Sequence, residues 1–75
     1  MTTIKITRAR NQKYINKVIC LDLENKSTTL LNIDYSIGFG VNSIDKLKRT
    51  NSIQLSKANV KGYSVVWIDE FEILN

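Results

Sequence analysis

The stretch Ser43-Ile44-Asp45-Lys46-Leu47-Lys48-Arg49-Thr50-Asn51-Ser52-Ile53-Gln54-Leu55-Ser56-Lys57 decides the fold class, because everything around it reads as strand. Ser43 is a good helix N-cap for Ile44 to Arg49, its hydroxyl free to accept an orphan amide of the first turn. Asn51 followed by Gln54 resembles a capping box opening a second short helix over Ser52 to Lys57. Neither piece is long enough to be stable alone. Both are expected to pack on a sheet through Ile44, Leu47, Ile53 and Leu55.

Working outward, Thr3 to Ala9 alternates Ile4 and Ile6 with Lys5 and Thr7, the period of a half-buried strand. Arg10-Asn11-Gln12-Lys13 reads as a polar turn. Tyr14 to Glu24 forms a second strand, with Ile19, Leu21 and Leu23 on one face and Val18 and Cys20 on the other, both covered at one end. Glu24 to Ser27 is a turn of hairpin length. Thr29 to Ile37 is the cleanest strand, with Leu31, Ile33, Tyr35 and Ile37 sharing a buried face. Gly38-Phe39-Gly40 then breaks the chain. Ser64 to Ile68 is the most β-prone segment. Asp69-Glu70 is expected to turn it, with Phe71 to Leu74 extended beyond. The order β-β-β-α-α-β-β implies an α+β domain over residues 1–75, a small and mostly antiparallel sheet with short helices on one face.

The 75 residues suffice for one domain with a modest core. Eleven basic and seven acidic residues leave a formal charge of +4, unevenly placed. Lys5, Arg8, Arg10, Lys13 and Lys17 precede any acid, whereas Asp69, Glu70 and Glu72 crowd the end. Such asymmetry marks either an anionic partner or pairing of the two ends within the fold. A single cysteine rules out an internal disulfide and favours a reducing compartment, the cytoplasm. Met1 to Lys5 does not open a signal peptide, and no apolar run is long enough for a membrane span.

Chemistry is defined here mainly by what is missing. The chain has no histidine, which removes the commonest general base and the Ser-His and Cys-His pairs. Zinc sites built on imidazole or several thiolates fall with it. Cys20 is expected to be a buried thiol acting as a small hydrophobe. Gly38-Phe39-Gly40 lacks the further glycines and the lysine of a phosphate cradle. Of the closing carboxylates only Glu70 and Glu72 share a strand face, which suits a solvated edge better than a cation site. No catalytic, cofactor or metal residue is assigned, and the chain is not expected to be an enzyme.

Two surfaces are candidates for binding. Lys5, Arg8, Arg10, Lys13 and Lys17 could contact phosphates, with Tyr14 stacking on a base. Tyr63 and Trp67, on one side of the last full strand with Val65 between them, could anchor a partner protein, although Trp67 also suits the core.

From Lys17 onward the chain resembles the bacterial family known as domain of unknown function 2442. The likeness lies in an ordered set. The strand Val18 to Leu23 closes in Glu24-Asn25-Lys26, and Leu31-Asn32-Ile33-Asp34 ends in aspartate. A glycine region, a short helix centred on Leu47, and Leu55, Ala58 and Val60 follow, before Val65-Val66-Trp67 and Glu72-Ile73-Leu74. Lys26 stands where a turn glycine is usual, and Leu55 where an aromatic is usual. The resemblance implies a compact α+β fold, a bacterial or phage origin and no activity. It also suggests an accessory or antitoxin-like member of a gene pair. The leading expectation is therefore a non-catalytic protein-interaction or regulatory module with a protein partner or a homodimer. The alternatives are a nucleic-acid-binding regulator using the basic N-terminal strand and a phage-encoded inhibitor of a host enzyme.

Overall fold

The computed structural model describes residues 1–75 and is a closed antiparallel barrel of six strands. They are β1 (Thr2–Ala9), β2 (Val18–Asp22), β3 (Ser27–Leu30), β4 (Ile33–Ile37), β5 (Ile53–Asn59) and β6 (Gly62–Ile73). A single 3-10 turn (Gln12–Tyr14) follows β1, and one short helix, α1 (Ile44–Lys48), joins β4 to β5. No helix is long and apolar enough to cross a membrane.

The expected α+β sheet is corrected on this point: there is one helix, and the sheet closes on itself. Helix α1 does form under a Ser43 cap, whose hydroxyl accepts the Lys46 amide at 3.3 Å. The second expected helix is β5. Ile53 and Leu55 are two residues apart, so in a strand both point inward and are fully buried, while Gln54 points outward opposite Trp67. The strand period outweighs the local cap because only it buries both side chains.

Strand β6 closes the barrel. Its first half pairs with β5, from Asn59↔Gly62 to Ile53↔Ile68, and its second half with β1, from Ala9↔Ile68 to Ile4↔Ile73. It runs without a turn through Asp69-Glu70, where a break was expected. What lies there is a pair of bulges. Thr7 is the extra residue of β1 between Ile6↔Phe71 and Arg8↔Glu70, and Asp69 is the extra residue of β6 between Arg8↔Glu70 and Ala9↔Ile68. An extra residue flips the facing of all that follow. Ile4 and Ile6 point inward and so, three residues on, does Ala9, leaving Arg8 and Arg10 outside.

The long third strand of the sequence reading is two strands. Leu31 and Asn32, with φ of 53° and 62°, make a two-residue turn in the left-handed region, and Leu30 faces Ile33 across it. Tyr35 and Ile37 are buried as expected, but Leu31 and Ile33 are exposed. Val18 and Cys20 are also exposed, because β2 has a wet outer face and no second layer over it. The core is one cluster in which Ile4, Ile6, Leu21, Leu47, Ile53, Leu55 and Ile68 lose all solvent contact. Gly38 lets β4 and β5 meet. Its amide donates to the Gln54 carbonyl at 2.6 Å, and a Cβ there would stand 3.0 Å from the same oxygen.

Candidate functional site

The body of the barrel ends partway along β5 and β6. Leu55 and Val66 are the last buried cross-strand pair, and every residue from Lys57 to Val65 is exposed. These residues form a two-stranded ribbon at the barrel rim, and its polarity is reversed. In the body the apolar side chains of β5 and β6 face inward, Trp67 excepted. In the ribbon the inward-phase residues are Lys57, Asn59, Gly62 and Ser64, and the outward-phase ones are Ala58, Tyr63 and Val65. The polar side is held locally, with the Asn59 side-chain amide donating to the Ser64 hydroxyl at 2.7 Å and the Lys61 backbone amide donating to the Asn59 side-chain oxygen Oδ1 at 2.9 Å. Tyr63 is 78% exposed and Val65 44%.

This apolar row continues along β6 to Trp67, which is half-buried. Phe39 lies against it with ring centroids 5.6 Å apart and planes at 45°. The Arg10 guanidinium lies over the indole, 4.5 Å from its centroid, and is held in place by Asp69 at 3.8 Å. Cation and ring attract through the ring quadrupole. Phe39 is 58% exposed, and φ is +61° at both Phe39 and Gly40. A bulky residue in the left-handed region is uncommon and costs free energy, and here its side chain meets Trp67 while much of the residue stays open to solvent.

The basic N-terminal residues are dispersed. The Arg8 guanidinium lies 3.2 Å from Glu70, and Lys5 lies directly across from Glu72. Arg10 is committed to Trp67 and Asp69. Tyr14 is buried in the core, with the Lys13 ammonium 5.1 Å from its ring centroid, and it offers no free face for a base. Lys17 is exposed beyond the turn, where its carbonyl accepts the Ile6 amide at 2.8 Å. Pairing of the two chain ends accounts for most of the charge asymmetry.

Cys20 is exposed on β2, contrary to the buried thiol expected, because its side chain takes the outward phase of a single-layered wall. Its polar side-chain neighbour is the Thr3 hydroxyl at 3.7 Å, which is not a base. Asp22 is the carboxylate with a shifted pKa. It is held below the ordinary range by the side-chain amide and then the backbone amide of Asn25, which donate at 2.9 and 3.1 Å. That arrangement stabilises a turn and brings no second reacting group.

Of the residues singled out from the sequence, Tyr63 and Trp67 share one face with Arg10 at its end, and the remaining basic residues lie apart from it. Phe39 was missed, having been read only as part of a glycine break. An aromatic residue between two glycines, where no strand can bury it, was the available signal. No family model matches this chain, and no curated protein or solved structure is found that is similar to it.

Proposed function

We propose that this chain is a non-catalytic interaction module that docks a partner protein on the outer face of β6. Tyr63, Trp67 and Phe39 are the apolar anchors and Arg10 their charged neighbour. The observation that carries the reading is the reversed polarity of the ribbon, which turns apolar side chains to water where the body turns them inward. Trp, Tyr and Arg are the residue types that dominate interface energetics when desolvated. The role fits an accessory member of a bacterial or phage gene pair, and an exposed lone thiol at Cys20 suits a reducing cytoplasm, where it does not cross-link. The paired state of Arg8 and Arg10 and the burial of Tyr14 favour this over the nucleic-acid reading.

A photo-cross-linking amino acid placed at position 39, in cells carrying the native gene neighbourhood, should trap one foreign protein, and the same group at Glu24 should not. Adducts of the chain with itself do not count. Absence of a foreign adduct at position 39 overturns the reading. Oligonucleotide binding that weakens steeply with salt and with Arg8→Ala would replace it with nucleic-acid recognition.

A further inference from the structure

The ribbon has two free edges, and they are not equivalent. Strand β4 meets β5 only at Ser36↔Ser56 and Ile37↔Leu55, so Lys57 to Asn59 pair with β6 alone. Strand β1 meets β6 only from Ile68 onward, so Gly62 to Trp67 pair with β5 alone. None of the backbone hydrogen bonds from turns or loops reaches either stretch. An open strand edge is a template for another strand, and proteins guard such edges with lysine, proline or bulges. The β5 edge is guarded by Lys57, with Lys61 in the adjoining turn. The β6 edge is not. Gly62-Tyr63-Ser64-Val65-Val66 contains no charge and no proline, and the bulge of β6 at Asp69 lies further along, where β1 covers it. Arg10 closes the far end by lying over Trp67.

We infer that a second copy of this chain pairs antiparallel with this edge, about a two-fold axis at Ser64. The five residues are self-complementary in that register. Tyr63 falls opposite the partner subunit's Val65, and Val65 opposite the partner subunit's Tyr63, both on the outer face. Gly62 falls opposite the partner subunit's Val66. Aromatic and β-branched side chains are favourable cross-strand pairs. No like charges meet across the axis, whereas self-pairing of the β5 edges would bring lysines together. Because the interface is isologous it closes at two copies, and the lysines on the outer edges stop further strands from adding. The product is a four-stranded ribbon joining two barrels, with both apolar rows on one continuous face. This goes beyond the partner-docking reading and does not depend on it.

Sedimentation equilibrium of the full chain at micromolar concentrations should give twice the mass of one chain. Val65→Lys should weaken the dimer by roughly tenfold or more, since each substitution counts twice across the axis. Its far-UV spectrum should stay that of the parent, because Val65 lies outside the core. Val65→Lys combined with Tyr63→Glu should restore the dimer, each lysine then facing the partner's glutamate. Lys57→Ala should leave it unchanged. A chain that stays monomeric overturns the inference, as does a dimer indifferent to Val65→Lys, or one that the double variant fails to restore.

Discussion

The barrel body and the rim ribbon are made from the same two strands, yet they are stabilised differently. In the body, Ile53, Leu55, Val66 and Ile68 meet side chains from the opposite wall and lose nearly all contact with water. In the ribbon, Lys57 to Val65 have no opposite wall, and what holds them is the β5–β6 ladder and the Asn59–Ser64 hydrogen bond. The alternation of side chains is unbroken across the boundary, and only the side carrying the apolar residues changes. Burial in this chain therefore depends on whether another layer stands opposite, and strand character alone does not secure it. Past the last opposing wall the two strands run on by their own ladder, with their apolar row left facing water.

The largest test of that difference is a pair of truncations. Ile53→Ala removes a fully buried side chain and should cost about 2–5 kcal/mol in urea unfolding, the range for aliphatic core truncations that leave a cavity. Tyr63→Ala removes a larger side chain, but an exposed one. Measured at dilutions where the chain is monomeric, it should change stability by no more than about 0.5 kcal/mol. If Tyr63→Ala cost as much as Ile53→Ala, the ribbon would be part of the core and the two regions would be one.

The boundary also marks how far the sequence could be read. Strand β1, the inward residues Ile19 and Leu21 of β2, the hairpin before Ser27 and the Ser43 cap of α1 all follow from local patterns that the fold keeps. Three features were hidden, each for a physical reason. Asn51 and Gln54 have the spacing of a helix cap, and only barrel closure makes Gln54 a strand residue opposite Trp67. Leu31-Asn32 carries none of the glycine that announces a two-residue hairpin, so β3 and β4 read as one strand. The bulges at Thr7 and Asp69 flip side-chain facing without leaving a mark in composition, and so the outward turn of Arg8 and Arg10 was not visible. The site was legible in part. Tyr63 and Trp67 stood out by their alternation, and Phe39 by its place between two glycines, but the contact of Phe39 with Trp67 belongs to tertiary structure alone.

The two hairpin turns sharpen the comparison on a smaller scale. The body hairpin turns at Leu31 and Asn32 with both residues at positive φ, whereas Val60 and Lys61 of the ribbon turn do not adopt it. Leu31→Asn with Asn32→Gly should stabilise the chain by about 1 kcal/mol by relieving that conformation. Lys61→Gly should do the opposite, costing up to about 1 kcal/mol, because glycine there only adds freedom to the unfolded chain. Equal signs in thermal unfolding would mean that the two turns are governed by something other than backbone geometry.

The smallest effect is set by pH and separates the same regions by chemistry. The turn after β2 is held by the Asp22 carboxylate, which accepts both the side-chain and the backbone amide of Asn25. The ribbon turn is held by Asn59, an amide that does not titrate. The folded pKa of Asp22 is lowered from its ordinary value of 3.8. The unfolded chain thus takes up the proton first, and the stabilisation is fully present above the unfolded value and lost as pH falls through the folded one. Amide exchange followed by NMR down through the acid range should show the Asn25 amide losing protection below the ordinary carboxylate range, while Lys61 is unmoved. Asp22→Asn should abolish the pH dependence at Asn25. A simultaneous loss at Asn25 and Lys61 would instead mean that acid unfolds body and ribbon together, and that the reversed polarity of the ribbon does not make it a separate unit of stability.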